Sequence, residues 1–157
     1  MDAEQEPAQC VFCGILAGRL PAARVCEGPR CVAFMDLYPL RPCHLLVVPR
    51  QHHEFLSELP TAERDAMAAV GTHLARAVRV AFPDVRGFNY VINEGRAAQQ
   101  TVPHVHLHVL PRRAGDRAAL VRDLARRALP PLRRRASAGE LERQAAAIRA
   151  CLGSVTE

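Results

Sequence analysis

The sequence predicts an α+β fold, in which an antiparallel sheet of about five strands, an ordinary size, carries one long helix and a C-terminal helix. Three observations lead there. Strand-like and helical segments follow one another without a regular βαβ rhythm, which favours antiparallel pairing over a parallel sheet. Across residues 61–82, Ala66, Val70, Leu74, Ala77, Val78 and Ala81 recur at helical spacing. His104-Val105-His106-Leu107-His108-Val109-Leu110 alternates histidine with branched apolar residues, the period-two pattern of a strand. A chain of 157 residues is expected to form a single domain that buries a core without disulfide support. That domain would place its core over residues 10–112 and a helical extension over residues 113–153.

The elements follow from local chemistry. Residues 10–18 read as a short helix closed by Gly18, with Pro21 in the turn beyond. Short strands are expected over 24–27 and 31–36, and the two prolines of Tyr38-Pro39-Leu40-Arg41-Pro42 make that stretch a loop. His44-Leu45-Leu46-Val47-Val48-Pro49 is an apolar run of strand length. Pro60 before Thr61 suits the start of the long helix, and His73 on its flank reads as a packing or surface residue. Residues 88–93 alternate as a strand, separated from the histidine strand by a polar loop over 94–101, so the two should pair antiparallel. Residues 116–127 are helical in composition and end at Pro130-Pro131, and Arg133-Arg134-Arg135 reads as a solvated linker. Ser137-Ala138-Gly139-Glu140 has the form of a capping box, after which Leu141, Ala145, Ile148 and Leu152 mark one face of a final helix that Gly153 stops.

Composition narrows the classes of function. Aromatic residues make up 4% of the chain, with no Trp, so the core should be aliphatic and the stacking platforms of a single-strand nucleic-acid binder are missing. The net charge is +5, and every basic residue is an Arg. Much of that charge lies over residues 112–135, a stretch that attracts polyanions of any kind and offers the one route to nucleic acid; its later arginines read first as a solvated helix face. Met1-Asp2-Ala3-Glu4-Gln5-Glu6-Pro7 is acidic and lacks an apolar h-region, and no run approaches membrane-spanning length. A cytoplasmic protein is therefore expected, with its six cysteines as thiols or metal ligands. Cys26, Cys31, Cys43 and Cys151 read as small buried hydrophobes.

On a strand, Val105, Leu107 and Val109 would enter the core, and the imidazoles would line the opposite, outward face roughly 7 Å apart. Solvated strand faces carry Thr, Lys, Arg or Glu, so three successive histidines call for chemistry: a nucleophile, a proton carrier or a metal ligand. An edge strand with incidental histidines is the plain alternative, and metal binding the serious rival. Cys10-x-x-Cys13 supplies half of a tetrahedral metal site, or two buried thiols.

From Cys10 to about Arg112 the residues resemble the histidine triad (HIT) family of nucleotide hydrolases and transferases. His104 to Leu110 fits its His-φ-His-φ-His-φ-φ signature at every position, and Phe34-Met35-Asp36, the strand with His44, Asn93-Glu94-Gly95 and Gln100-Thr101 match in order. The resemblance implies attack by His106 on the α-phosphorus of a nucleotide ester, anhydride or phosphoramidate, followed by water. Neutral imidazole is a competent nucleophile and a good leaving group, provided its other nitrogen donates to a carbonyl that fixes the tautomer. His108 would hold the phosphate and pass a proton to the leaving group, with His44 at the same site. Gln100, Thr101 and nearby backbone N–H groups would face the phosphoryl charge. Asp36 would accept from the ribose hydroxyls, Phe34 and Leu37 flank the base, and Asn93 reach the ribose-phosphate.

Each role has a plainer counterpart: Asp36 and Asn93 also read as turn residues, Thr101 as an ordinary strand residue, His44 as a satisfied core histidine. His108, where transferase-like branches carry Gln, argues for a hydrolase. Cys43 and Gln99 stand where the family often has Gly, which could narrow the phosphate pocket, and the Trp-containing C-terminal segment of the eukaryotic phosphoramidase branch is missing. Several members bind a structural zinc through a Cys pair and two histidines, which implies Cys10, Cys13, His52 and His104 here, with His53 the alternative to His52. No cofactor would be required for catalysis itself. A purine nucleotide substrate and a homodimer joined along the long helix and a sheet edge are further implications. Two rivals stay open: a zinc-dependent hydrolase in which the triad itself ligates the metal, and a nucleotide- or nucleic-acid-binding regulator using residues 112–135.

Overall fold

A computed structural model of the chain describes residues 10–129 and 132–153. The acidic segment from Met1 to Pro7 and the Pro130-Pro131 pair lie outside the described residues. Five strands, β1 (Arg24–Glu27), β2 (Cys31–Met35), β3 (Leu45–Pro49), β4 (Val85–Val91) and β5 (Leu107–Arg113), form one sheet in the order β1-β2-β3-β5-β4. Every neighbouring pair is antiparallel. Four α-helices among the described residues accompany it: α1 (Val11–Leu16), α2 (Thr61–Ala81), α3 (Arg117–Ala128) and α4 (Ala138–Leu152). This is the α+β architecture expected. No helix among the described residues is long and apolar enough to cross a membrane.

β2 and β3 are buried along their whole length, which explains their unbroken apolar runs: both faces of the central sheet are covered. On one face Ala33, Leu45, Val47, Leu107 and Val109 pack against Leu74 and Val78 of α2 and Leu141, Ala145 and Ile148 of α4. On the other, Val32, Phe34, Leu46 and Val48 pack under Phe12 and Ile15 of α1. Each fully buried aliphatic side chain contributes about 1.5–3 kcal/mol relative to exposure. α2 approaches β5 closely because Gly71 faces it: a Cβ there would stand 2.8 Å from Leu107 Cδ2.

Several details depart from the sequence pattern. The buried stripe of α2 runs through Met67, Gly71, Leu74 and Val78, with Ala66 and Val70 only partly buried at its flank. β4 begins three residues earlier than expected and ends at Val91, because β5 continues through Pro111 to Arg113 and gives Val85 and Gly87 partners. Pro111 is tolerated because β3 pairs only with Leu107, His108 and Val109, leaving that stretch of β5 without a neighbour on the β3 side. β5 also starts late: His104 and His106 precede its ladder, and Val105 N–H donates to His53 C=O at 2.8 Å. Arg134 and Arg135 are exposed, as expected of a solvated linker, but the residues beside them are tied to the fold. Ala136 is buried, its N–H donates to Leu37 C=O at 3.0 Å, and Arg133 is half-buried. The Ser137 cap holds as expected, its Oγ accepting from Glu140 N–H at 3.1 Å.

Candidate active site and metal centre

The outward-facing histidine row does not exist as such, because α1 covers it. His104, His106 and His108 are all buried, at 0%, 4% and 6% exposure. The Phe12 ring stands edge-on to His106 at 5.0 Å and to His104 at 5.9 Å between centroids. Phe12 was missed in the sequence, although Phe12 and Ile15, three apart and flanking Cys13, already mark the buried face of α1.

His106 Nδ1 lies 2.7 Å from His104 C=O. A carbonyl can only accept, so Nδ1 carries the proton and Nε2 the lone pair, the attacking tautomer that nucleophilic chemistry needs. His108 and His44 meet across the β3–β5 pair: His44 Nε2 is 3.0 Å from His108 Nδ1. Leu40 N–H donates to His44 Nδ1 at 3.2 Å, which leaves the His44 proton on Nε2, directed at His108 Nδ1. His108 then carries its own proton on Nε2. The three rings lie in sequence, with centroids 4.8 Å apart for His106 and His108 and 5.1 Å for His108 and His44.

Asp36 Oδ1 accepts Tyr38 N–H at 2.9 Å, the turn-capping role open from the sequence, and its Oδ2 stands 3.4 Å from His44 Nδ1. Phe34 shares a register row with Leu46, His108 and Val91, placing it on the histidine side of the sheet. Leu37 and Thr101 are exposed, and Asn93 is half-buried just beyond β4. Gln100 is tied into the fold: its Oε1 accepts Gly95 N–H at 2.6 Å and its Nε2 donates to Glu54 C=O at 2.9 Å. One amide hydrogen remains for another acceptor.

Cys43 and Gln99 are the non-glycine residues with positive φ among those described, at 66° and 65°. Here lies the physical sense of a glycine at both places, since a side chain in the left-handed region costs about 1–2 kcal/mol. Cys43 does not narrow a phosphate pocket: it is 1% exposed and packs in the core that α2 and α4 cover. Burial pushes its thiol up to about 11.

Cys10, Cys13, His52 and His104 form a second cluster, their ligand atoms all within 4.8 Å of one another. Cys10 Sγ is 3.4 Å from His104 Nδ1, and Cys13 Sγ is 3.4 Å from His52 Nδ1 and 3.6 Å from His104 Nδ1. With Zn–S near 2.3 Å and Zn–N near 2.05 Å, tetrahedral geometry requires an S···N separation of about 3.6 Å. These three S···N separations match a tetrahedral zinc, and the Cys2His2 donor set is the kind that zinc takes. His104 Nε2–H donates to Pro49 C=O at 3.0 Å, which turns its Nδ1 lone pair toward the thiols, as outer-sphere partners of metal-bound histidines do. Burial holds His104 down to about 4, neutral and ready to ligate, while burial and the neighbouring Cys10 push Cys13 up to about 11. His53 instead faces Gln51 Oε1, at 3.5 Å. Asp36, His44 and His108 form a further group whose ligand atoms lie within 4.8 Å.

Comparison with known proteins agrees with this geometry. Residues 17–115 match the HIT domain family. An uncharacterised HIT-like protein of Mycobacterium tuberculosis is 41% identical over 138 residues, covering 88% of this chain and 93% of that protein. The adenosine 5'-monophosphoramidase of Candida albicans is 30% identical over 109 residues, or 68% of this chain and 72% of the enzyme. The crystal structure of a zinc-bound histidine triad family protein from Mycobacterium smegmatis superposes with a TM-score of 0.77 at 37% identity, covering 94% of this chain and 95% of the other. With the signature histidines gathered on β5 and its approach, and the family match spanning most of the chain, this protein belongs to the histidine triad family.

Proposed function

We propose that this chain is a nucleotide hydrolase that acts at the α-phosphate of nucleoside phosphoramidates or dinucleoside polyphosphates, with a purine nucleotide as substrate. The observation that carries the reading is the hydrogen bond from His106 Nδ1 to His104 C=O at 2.7 Å, which leaves Nε2 as the nucleophile. His106 Nε2 forms a bond to the α-phosphorus as the bond to the leaving group breaks, and the leaving group takes the proton of His108 Nε2. Water then attacks the nucleotidyl-histidine and passes a proton back to His108 Nε2, releasing the nucleoside monophosphate and restoring both imidazoles. His44 orients His108 through the 3.0 Å contact. Asp36 receives the ribose hydroxyls, Phe34 and Leu37 flank the base, and Asn93, Gln100 and Thr101 bear on the ribose-phosphate. Cys10, Cys13, His52 and His104 hold a structural zinc that takes no part in bond breaking. Homodimerisation and a cytoplasmic setting belong to the same reading, which is supported by the phosphoramidase named among the relatives.

The test is to incubate adenosine 5'-phosphoramidate and diadenosine polyphosphates with wild type and His106→Ala. Loss of turnover and of the acid-labile nucleotidyl adduct in the variant is expected; wild-type rates in His106→Ala would end the proposal. The grouping of Asp36, His44 and His108 favours one second reading, a zinc hydrolase working through those residues. Turnover that survives complete chelation fits covalent catalysis, and turnover rescued only by zinc fits the rival.

A further inference from the structure

A cleft of about 200 Å³ opens between the 38–42 loop, α3 and the segment leading into α4. Five guanidiniums line it, those of Arg41, Arg122, Arg126, Arg133 and Arg134, against two carboxylates, Asp123 and Glu140. We propose that this cleft is a binding site for a short phosphate-chain anion, distinct from the histidines and beyond the reaction assigned to them.

Among the described residues that line the cleft, arginines outnumber carboxylates. Asp123 alone serves three arginines: Oδ2 lies 3.3 Å from Arg41 Nη1, and Oδ1 lies 3.2 Å from Arg122 Nε and 3.7 Å from Arg126 Nη1. Glu140 stands 3.7 Å from Arg134. Arg41 carries the argument furthest. Its side chain is 17% exposed, and its Nε is buried without a hydrogen-bond acceptor among the described residues. The nearest other carboxylate, Asp116, lies 3.6 Å from that Nε, and Asp116 is already engaged by Arg112 at 2.6 and 3.1 Å and by Arg113 N–H at 3.0 Å. Held by Asp116 and Asp123 at the wall of a concavity in which arginines outnumber carboxylates, the Arg41 guanidinium offers the planar donor set that matches the oxygens of phosphate. The volume admits a few phosphate groups and not a folded partner.

The position adds a consequence. The same loop that forms one wall of the cleft donates Leu40 N–H to His44, and the opposite wall is pinned to it through Ala136 N–H and Leu37 C=O. An anion there would steady the loop that holds the His44–His108 pair.

Two sources offer this chemistry: the distal phosphates of a bound substrate, or a free polyphosphate. Calorimetric titration of inorganic tripolyphosphate into the full chain carrying His106→Asn, which keeps nucleotides intact, tests the site. One saturable site is expected, weakened at least tenfold by Arg122→Ala/Arg126→Ala, both exposed positions, while circular dichroism stays unchanged, and weakened also by raising salt. Displacement by diadenosine tetraphosphate but not by AMP assigns the anion to the substrate; displacement by neither assigns it to a separate effector. Both outcomes support the cleft. Absence of saturable binding, or an unchanged isotherm in the double variant, overturns it, as does preferential occupation by a single-stranded oligonucleotide. The titration needs no turnover, so failure of the hydrolase reading leaves its outcome distinct.

Discussion

Removing zinc should unfasten the amino-terminal helix from the sheet, and the size of the effect follows from the chain lengths involved. Cys13 and His52 are 39 positions apart, and Cys10 and His104 are 94 apart. A cross-link closing a loop of the shorter length removes about 4 kcal/mol of denatured-state entropy in the chain-entropy picture. The second closure adds little, because its ends are already held near the first. For a chain of this size each kcal/mol moves Tm by about 2–4 °C, so chelation should lower it by about 8–16 °C. The assay is scanning calorimetry of tag-free protein loaded with zinc, after exhaustive chelation, and after reloading with zinc or magnesium. Zinc alone should restore the transition, and Cys13→Ser should melt low and ignore added zinc. Metal analysis should find one zinc per chain. A chelation shift below about 2 °C, with both cysteines freely alkylated in the presence of zinc, would refute the reasoning.

Other outcomes test the rest of the fold and site. Asp116→Asn leaves Arg112 and the buried Nε of Arg41 without their carboxylate and should cost about 3 kcal/mol at pH 7, the low end for breaking a buried pair, since both guanidiniums keep some contact with water. Arg112 beside it holds Asp116 below the usual carboxylate range, so this stabilisation is present above the unfolded group's titration near pH 4 and is lost as pH falls through the lower folded value; an advantage over the variant that stays constant from pH 7 to pH 2 contradicts this. Phe12→Ala should destabilise by about 3 kcal/mol and speed diethylpyrocarbonate modification of the triad, whereas unchanged modification would mean that Phe12 covers nothing. His108→Ala should slow turnover by about 10²–10⁴-fold for a leaving group that needs a proton and much less for one that does not; equal losses would remove its role as proton donor.

Much of this arrangement can be read from local chemistry. The fold class, the strand over Arg24–Glu27, the Ser137 cap and the buried face of α4 rest on contacts within a turn or two, which sequence spacing encodes directly. Position along the histidine strand was less legible: Pro103 and the hydrogen bond from Val105 N–H to His53 C=O delay the ladder, and the partner lies 52 residues away. The α2 stripe was shifted because a glycine at the closest approach contributes contact without hydrophobicity, so Gly71 carries no signal in an apolar count. Of the residues expected at the site, His44, His106 and His108 meet, as do Cys10, Cys13, His52 and His104, because two short motifs on paired segments fix both clusters. Phe12, Arg41 and Asp116 escaped notice because their importance depends on which elements fold across them.

The glycine on α2 couples the far side of the sheet to the histidine strand. Leu107, whose Cδ2 would stand 2.8 Å from a Cβ at position 71, lies between His106 and His108 in the chain, so a bulkier residue at position 71 would press on the strand behind those two rings. Variants such as Gly71→Val would then misalign His106 and His108 while every residue lining the front stays intact. Such a lesion would lie outside both histidine clusters, and a loss of activity mapping to the back of this helix would be its signature.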